Sequence, residues 1–296
     1  MRRNSIFGSI ILATALFPVG HLQAQEIPKE YQEVLSILGK QGDFAANVLK
    51  ANIPRSDLAV TIAGHATPTP FGFGGWLAFT KRSDGMDVMM GDLVLTQDEV
   101  NPVLSALLEH GIEVTAIHNH FFYEEPRLYF MHVHGHGNAA ELAKAAKPAV
   151  DLIGKGGTPA AKPAVAPKPE VDVDAISKIV GKKADTMGSV IKFTVGRDDL
   201  HVSEMGAAIN ARMGLNSWAA FAGTQADAQI AGDIAMKESE VNGVLKALRA
   251  HGLNVTAIHQ HMLGTQPTII FLHYWGRGPA DKLAEGFRGA LDVLEK

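Results

Sequence analysis

The chain has 296 residues, 46% of them hydrophobic and 20% charged, which is enough for about two domains with substantial cores. The net charge of −4 is spread without a basic stripe, which argues against nucleic acid as a partner. Cysteine is absent, which excludes a disulfide framework and a thiolate metal site.

The first 24 residues predict a secretory signal peptide. Arg2 and Arg3 precede an apolar run at residues 6–19, and Ala24 is a small residue suited to cleavage. The run is too short for a membrane span, and no later segment is apolar enough to form one. We therefore expect a periplasmic or secreted protein without an integral membrane segment once the signal has been removed.

The elements of a first domain, residues 25–154, follow in a regular order. Residues 31–39 predict an amphipathic helix, and residues 58–63, 75–80 and 86–95 predict strands. Apolar residues at three-and-four spacing predict a helix at residues 97–110, with Thr96 and Glu99 as a capping box at its start. A histidine-containing hairpin and a closing helix at residues 139–153 complete the unit.

A linker and a second domain are predicted after this unit. Residues 155–170, KGGTPAAKPAVAPKPE, are rich in proline, alanine and lysine and cannot build a core. Residues 171–296 then repeat the first domain. Between residues 91–137 and residues 232–278, 22 of 47 positions are identical without a gap. Lys237 replaces Thr96 in the second copy, so the cap is not expected there.

Hairpins with intervening helices predict an α+β fold: two homologous tandem domains, each a mainly antiparallel sheet covered by helices.

A histidine motif stands out because both copies contain it. TAIHNHFFYEEPRLYFMHVHGHG begins at Thr115, and TAIHQHMLGTQPTIIFLHYWGRG begins 141 residues later at Thr256. In each copy a His-x-His pair precedes a third histidine by twelve residues; the two trios are His118, His120 and His132, and His259, His261 and His273.

Strand geometry predicts that this spacing brings the three histidines of each copy together. Residues two apart on a strand share a face, and pairing His118 with His132 across the hairpin would add the third imidazole. Three neutral imidazoles suit a transition metal such as zinc or copper and leave one coordination position open. The motif therefore predicts one metal site per domain.

Further candidates lie beside the first trio. His134 continues the alternation from His132 and is a possible fourth ligand. Glu124 and Glu125 lie in the predicted turn, where they could ligate the metal, act as a catalytic general base for a metal-bound water, or simply be solvated. Asp92 and its counterpart Asp233 could orient a ligand histidine or merely occupy a turn.

The stretches GDLVLTQDEVNPVLSALLEHGIEVTAIHNH and EPRLYFMHVHGHG resemble the LppY/LpqO family of exported bacterial domains of unknown function. The resemblance covers nearly all of the mature chain in two copies, and the second copy departs from the motif at Gln260 and Thr268. It implies an exported protein and a fold, but it implies no reaction.

These observations predict an exported protein that binds a transition metal, zinc or copper, in the cell envelope through its histidines. One alternative is a metal-dependent hydrolase that uses the first-domain site and acts on an unknown small-molecule substrate. The other is a non-enzymatic structural or interaction protein with structural histidines.

Overall fold

A computed structural model describes residues 25–155 and 168–294. The predicted signal peptide and most of the predicted linker lie outside the described residues. Among the helices of the described ranges, none combines the length and the apolar character needed to cross a membrane.

The two halves are built from the same elements in the same order, except that the strand β8 of the first domain has no counterpart in the second. The first domain contains α1 (Lys29–Leu38), β1 (Gly42–Ala45), β2 (Val48–Pro54), β3 (Val60–Ile62), β4 (His65–Thr67), β5 (Gly74–Lys81), β6 (Asp87–Thr96), α2 (Gln97–Glu109), β7 (Glu113–His118), β8 (Glu124–Glu125), β9 (Leu128–Gly137) and α3 (Ala139–Val150). The second contains α4 (Val173–Val180), β10 (Asp185–Met187), β11 (Val190–Gly196), β12 (Val202–Glu204), β13 (Ala207–Ile209), β14 (Asn216–Gly223), β15 (Ala228–Lys237), α5 (Val241–Ala250), β16 (Asn254–His259), β17 (Ile269–Gly278) and α6 (Ala280–Leu294).

Each domain forms one six-stranded antiparallel sheet. The strand order is β1-β2-β5-β6-β9-β7 in the first domain and β10-β11-β14-β15-β17-β16 in the second. The predicted α+β class is confirmed. The strands β1, β2, β10 and β11 were not predicted, although they form one edge of each sheet.

The outer face of each sheet is covered by its own helices. Successive side chains on a strand point to opposite faces, so Leu77 and Phe79 of β5 point outward and are fully buried beneath the helices. Phe221 of β14 lies at the matching position of the second domain. Each outer face is therefore an ordinary apolar core of one domain.

The inner faces of the two sheets pack against each other. Two further apolar clusters combine residues of both domains: one contains Val94 and Ala220, and the other contains Met90 and Phe271. The molecule is thus four layers deep, in the order helices, sheet, sheet and helices.

Each domain also extends an arm over the partner sheet. We define the first arm as residues 60–71 and the second as residues 202–213. Each arm is a hairpin followed by a 3-10 turn, and that turn contacts the middle strands of the other domain. The hairpin turn needs positive φ at two consecutive residues, which are Ala63-Gly64 in one arm and Met205-Gly206 in the other.

A buried arginine fixes the start of each arm to a helix. Arg55 Nη1 donates to Glu99 Oε2 at 2.7 Å, and Glu99 Oε2 also accepts from the Thr96 backbone N–H at 2.8 Å. Glu240 accepts from the Lys237 backbone N–H at 2.7 Å in the second domain. The expectation that the second copy lacks this cap is therefore wrong. The hydrogen bond that both domains form is accepted by the glutamate side chain, and it does not depend on Thr96.

Candidate metal centre

The register of the histidine strands differs from the prediction by two residues. His118 pairs with Phe130, and Ala116 pairs with His132, with a β-bulge between Val114 and Ala116. A shift of two residues keeps every side chain on its face, so His118 and His132 still share the inner face. The second domain has the same register and the same bulge.

The six motif histidines meet in one cluster between the sheets. Each imidazole of one domain stacks on an imidazole of the other: the ring centroids lie 3.7 Å apart for His118 and His259, 3.6 Å apart for His120 and His273, and 3.8 Å apart for His132 and His261. These contacts are reciprocal, as in a two-fold interface.

Three overlapping groups of imidazoles have ligand atoms within 4.8 Å of one another. The groups are His118, His120 and His273; His118, His132 and His259; and His259, His261 and His273. The second-domain trio thus forms a group by itself. The first-domain trio does not, because its members combine with His259 and His273. The prediction of one separate site in each domain is corrected to a single shared cluster.

Burial determines the charge state of these imidazoles. It lowers the pKa of His259 to about 4, and it lowers the pKa of His118 as well, with His259 as a second cause. The pKa values of His120, His132 and His273 fall well below the usual value, first through burial and then through neighbouring histidines. Neutral imidazoles are the form that ligates a metal.

Many ring nitrogens of the cluster form no hydrogen bond with a described residue. The buried atoms without a hydrogen bond to any described residue include one ring nitrogen each of His118, His120, His132, His261 and His273, and both of His259. The Nε2 atoms of His118 and His273 face each other at 3.2 Å. Unsatisfied buried polar atoms are costly and rare, so this concentration of them is consistent with a metal-binding site.

The bulges help to join the domains at this point. Thr115 Oγ1 donates to the His261 carbonyl at 2.5 Å, and Thr256 Oγ1 donates to the His120 carbonyl at 2.5 Å. The two histidine strands therefore hold each other through equivalent residues.

The structure does not bring the remaining predicted residues into these groups. His134 is buried with its Nδ1 3.2 Å from Glu204 Oε1 of the second arm. Glu124 is buried in β8, which pairs with β3, and burial raises its pKa, whereas Glu125 is exposed. Among the described residues, none of the three belongs to a group that could hold a metal.

A polar stripe connects the cluster to the middle of each sheet. Register places His132, Asp92, Trp76 and Asn52 side by side on four neighbouring strands of the first sheet. The second sheet has His273, Asp233, Trp218 and Thr194 in the same places. Asp233 Oδ1 lies 3.9 Å from His273 Nδ1, too far for the predicted orienting hydrogen bond.

Two lysines at the end of the stripe were not identified as site residues by the sequence analysis. Lys50 Nζ lies 4.2 Å from the Trp76 ring centroid, and Lys192 Nζ lies 4.1 Å from that of Trp218. The available signal was the alternation in VLKANIP, which places Lys50 opposite to the buried Leu49 and Ala51.

Fold and site together define a two-domain α+β protein with an imidazole cluster between its sheets. A family model described as Domain of Unknown Function (DUF1259) matches residues 32–152 and 174–293, so the chain belongs to this family and contains two tandem copies of its domain. The match does not carry the LppY/LpqO name, which stays a prediction.

Other comparisons add little. No curated protein matches the chain. Among solved structures it is similar to PduB, a trimeric bacterial microcompartment shell protein, with 12% identity over 84% of this chain and 87% of that one, and a TM-score of 0.20. It is also similar to EtuB from Clostridium kluyveri, with 9% identity over 85% and 90% of the two chains, and a TM-score of 0.20. Such low TM-scores carry no inference about fold or function.

Proposed function

We propose that the protein binds a transition metal ion, zinc or copper, between its two domains. One observation carries this proposal: ring nitrogens of three histidines come within 4.8 Å of one another in three overlapping groups, and each of the six histidines has a buried ring nitrogen without a hydrogen bond to a described residue. Imidazole suits both metals, and a three-histidine set leaves a fourth position open.

The cluster is least buried at the edge strands of the two sheets. His118 and His259 belong to the edge strands β7 and β16 and are only partly buried. The other four imidazoles lie deeper and are buried. An ion would therefore enter past the His118–His259 pair and be held by deeper ligands of both domains.

The overlap of the groups sets the stoichiometry. Any two of the three groups share one histidine: His118, His259 or His273. Filling two groups together would need one imidazole to bridge two ions through both nitrogens. The proposal is accordingly one ion per chain, which ties the domains together.

Metal analysis of untagged protein tests this proposal. We expect one ion per chain, and His118→Ala/His259→Ala should lose all of it, because each group contains at least one of these two histidines. His118→Ala/His120→Ala leaves the group His259, His261 and His273 intact, and His259→Ala/His261→Ala leaves the group His118, His120 and His273 intact, so each of these variants should weaken binding without removing every possible site. His110→Ala/His251→Ala is the matched control. Those histidines are exposed at helix ends, where each Nδ1 contacts a carbonyl of its own helix at 2.8 Å and 2.9 Å.

Other outcomes would contradict the shared site. Two ions per chain, with one lost in His118→Ala/His120→Ala and the other in His259→Ala/His261→Ala, would indicate separate sites. Unchanged metal content in correctly folded variants would leave a structural role for the imidazoles. That alternative has some support, because His120 and His261 also stack on Phe130 and Phe271 with centroids 3.2 Å and 3.4 Å apart.

Hydrolysis remains the second candidate because a three-histidine site leaves room for a metal-bound water. If Glu124 or Glu125 supplies the base, Glu124→Gln and Glu125→Gln should abolish turnover of a panel of esters while metal content stays unchanged. Retained turnover would exclude both residues from that role.

We further propose that the protein acts in the cell envelope, periplasmic or secreted, as an exported LppY/LpqO-like protein. The support is the apolar, arginine-preceded segment at its start. Fractionation of cells that express the full chain tests this, and retention of an uncleaved chain in the cytoplasm would contradict it.

A further inference from the structure

A cavity of about 410 Å³ lies between the sheets beside the histidine cluster. Its walls contain equivalent residues of both domains: Lys50 and Lys192, Trp76 and Trp218, and Asp92 and Asp233. His120 connects it to the cluster. The size is within the range of pockets that hold small organic molecules.

The lysines bring positive charge into the cavity, where Asp92 and Asp233 act on it only from beyond ion-pair distance. Each ammonium lies over a tryptophan ring, and neither forms an ion pair with a described residue. Burial lowers the pKa of both lysines to about 8, and for Lys50 repulsion by Lys192 is the next cause. An anion between the two ammonium groups would relieve this repulsion.

Each aspartate brings one carboxylate oxygen that accepts no hydrogen bond from a described residue. Asp233 is buried, and its Oδ1 has no hydrogen bond to any described residue. Asp92 Oδ1 is buried without a partner in the same way. A group that donates hydrogen bonds would satisfy these oxygens, and a buried acceptor left without a donor is unfavourable.

We propose that this cavity binds a small organic acid that carries hydroxyl groups, with its carboxylate between Lys50 and Lys192 and its hydroxyls against Asp92 and Asp233. Neither the carboxylate nor the hydroxyl groups of such a ligand would match the cavity alone. A simple anion would leave the Oδ1 atoms of the two aspartates without a donor, and a neutral polyol would leave the ammonium groups without an anionic partner. Tryptophan side chains then form the apolar walls on both sides.

Binding of three six-carbon probes to metal-stripped protein tests the proposal. Gluconate carries both a carboxylate and hydroxyls, glucose lacks the carboxylate, and hexanoate lacks the hydroxyls. We expect saturable binding of gluconate by calorimetry at millimolar concentrations and binding of the other two to be at least about tenfold weaker. Fluorescence should report the same event, because two of the three tryptophans line the cavity.

Variants assign the binding to this cavity. Lys50→Met and Lys192→Met keep the aliphatic stem over the tryptophan and remove the charge, so each should weaken gluconate binding about tenfold or more. Lys246→Met is the control, because Lys246 is exposed on α5 at the outer layer. Asp233→Asn retains the size of the side chain and should weaken gluconate more than hexanoate.

The outcomes separate this proposal from the metal site. Equal binding of all three probes, no binding of gluconate, or unchanged binding in folded lysine variants would overturn the cavity assignment. Gluconate binding is measured on metal-stripped protein, whereas metal content is measured on untreated samples of the same variants, whose lysines lie outside the imidazole groups. Loss of gluconate binding with full metal content is the expected combination.

Discussion

The two faces of each sheet are built differently although they belong to the same strands. The outer face of β5 contributes Leu77 and Phe79 to a wholly apolar core under the helices. The inner face of the same sheet carries His132, Asp92, Trp76 and Lys50 between two apolar clusters. The apolar outer face can account for the stability of each domain. The inner face buries less apolar surface at this point, because it carries imidazole and carboxylate groups whose hydrogen-bonding atoms are not all used.

This difference between the two faces indicates that the inner face carries the function. Leaving a buried polar atom without a partner costs about 1–3 kcal/mol, and the inner faces contain several such atoms in the histidines and aspartates. A sheet that only had to associate with another sheet would be more stable with aliphatic residues there. Changes on the two faces should therefore have different consequences.

Acidification should give the largest effect, because it acts on every imidazole of the inner face at once. Burial lowers the pKa of His259 from 6.5 to about 4, and the pKa values of the other five imidazoles are lowered too. Burial also raises the pKa of Asp92 to about 7 and that of Asp233 well above its usual value, so these two carboxyls offset part of the effect of the six imidazoles. Unfolded imidazoles bind protons near pH 6.5, so this stability is present above that pH and is lost as the pH falls toward 4.

The free energy of unfolding in urea, measured on metal-stripped protein, should decrease by up to about 1.4 kcal/mol per pH unit for each imidazole involved. His118→Phe/His259→Phe should make the decrease shallower, whereas the exposed pair His110→Ala/His251→Ala should not. A free energy of unfolding that stays constant between about pH 7 and pH 5 would refute the effect.

Truncation of the outer core should have the next largest effect and should not depend on metal. Phe221 is fully buried beneath the second-domain helices, with its ring 5.9 Å from that of Phe193. Phe221→Ala should lower the free energy of unfolding by about 3–5 kcal/mol, through lost burial and a residual cavity. Metal content per folded chain should not change, and a loss of metal at full folding would contradict the division between the faces.

Replacing an inner-face histidine by an aliphatic residue should have the smallest effect on stability. His132 is buried and its Nε2 has no partner among the described residues. His132→Leu should leave the metal-free protein unchanged or more stable by about 1 kcal/mol, because it removes an unsatisfied polar atom. Stabilisation by added zinc should weaken, measured as the shift in melting temperature. A destabilisation comparable to that of Phe221→Ala would show that the imidazole is mainly a packing residue.

Much of the fold follows from local sequence patterns. Apolar spacing located α2, and the turn-bounded strands and the 141-residue repeat established two α+β domains. The shared face of His118 and His132 survived an error in register, because the error was two residues and not one. The strand β2 was missed although its residues alternate, since Lys50 and Asn52 resemble an exposed face.

The shared site could not be predicted in the same way. Spacing within a strand says which side chains share a face, but it does not say what packs against that face. Identical motifs in both copies suggested two equal sites, whereas the stacking of His118 on His259 depends on how the sheets meet. Lys50 and Asp233 come together across that interface and are separated in sequence by most of the chain.

The exchanged arms have a consequence for the synthesis of the chain. The 3-10 turn at Thr69–Phe71 rests on β11 and β14, which are made much later than the arm itself. When the first domain has been completed, its helices already cover one face of the sheet, while its arm and its inner face still lack their partner. Folding can finish only after the second half has been translated. Because domains generally fold as units and exposed apolar surface promotes aggregation, the uncovered first half is the vulnerable intermediate of this protein.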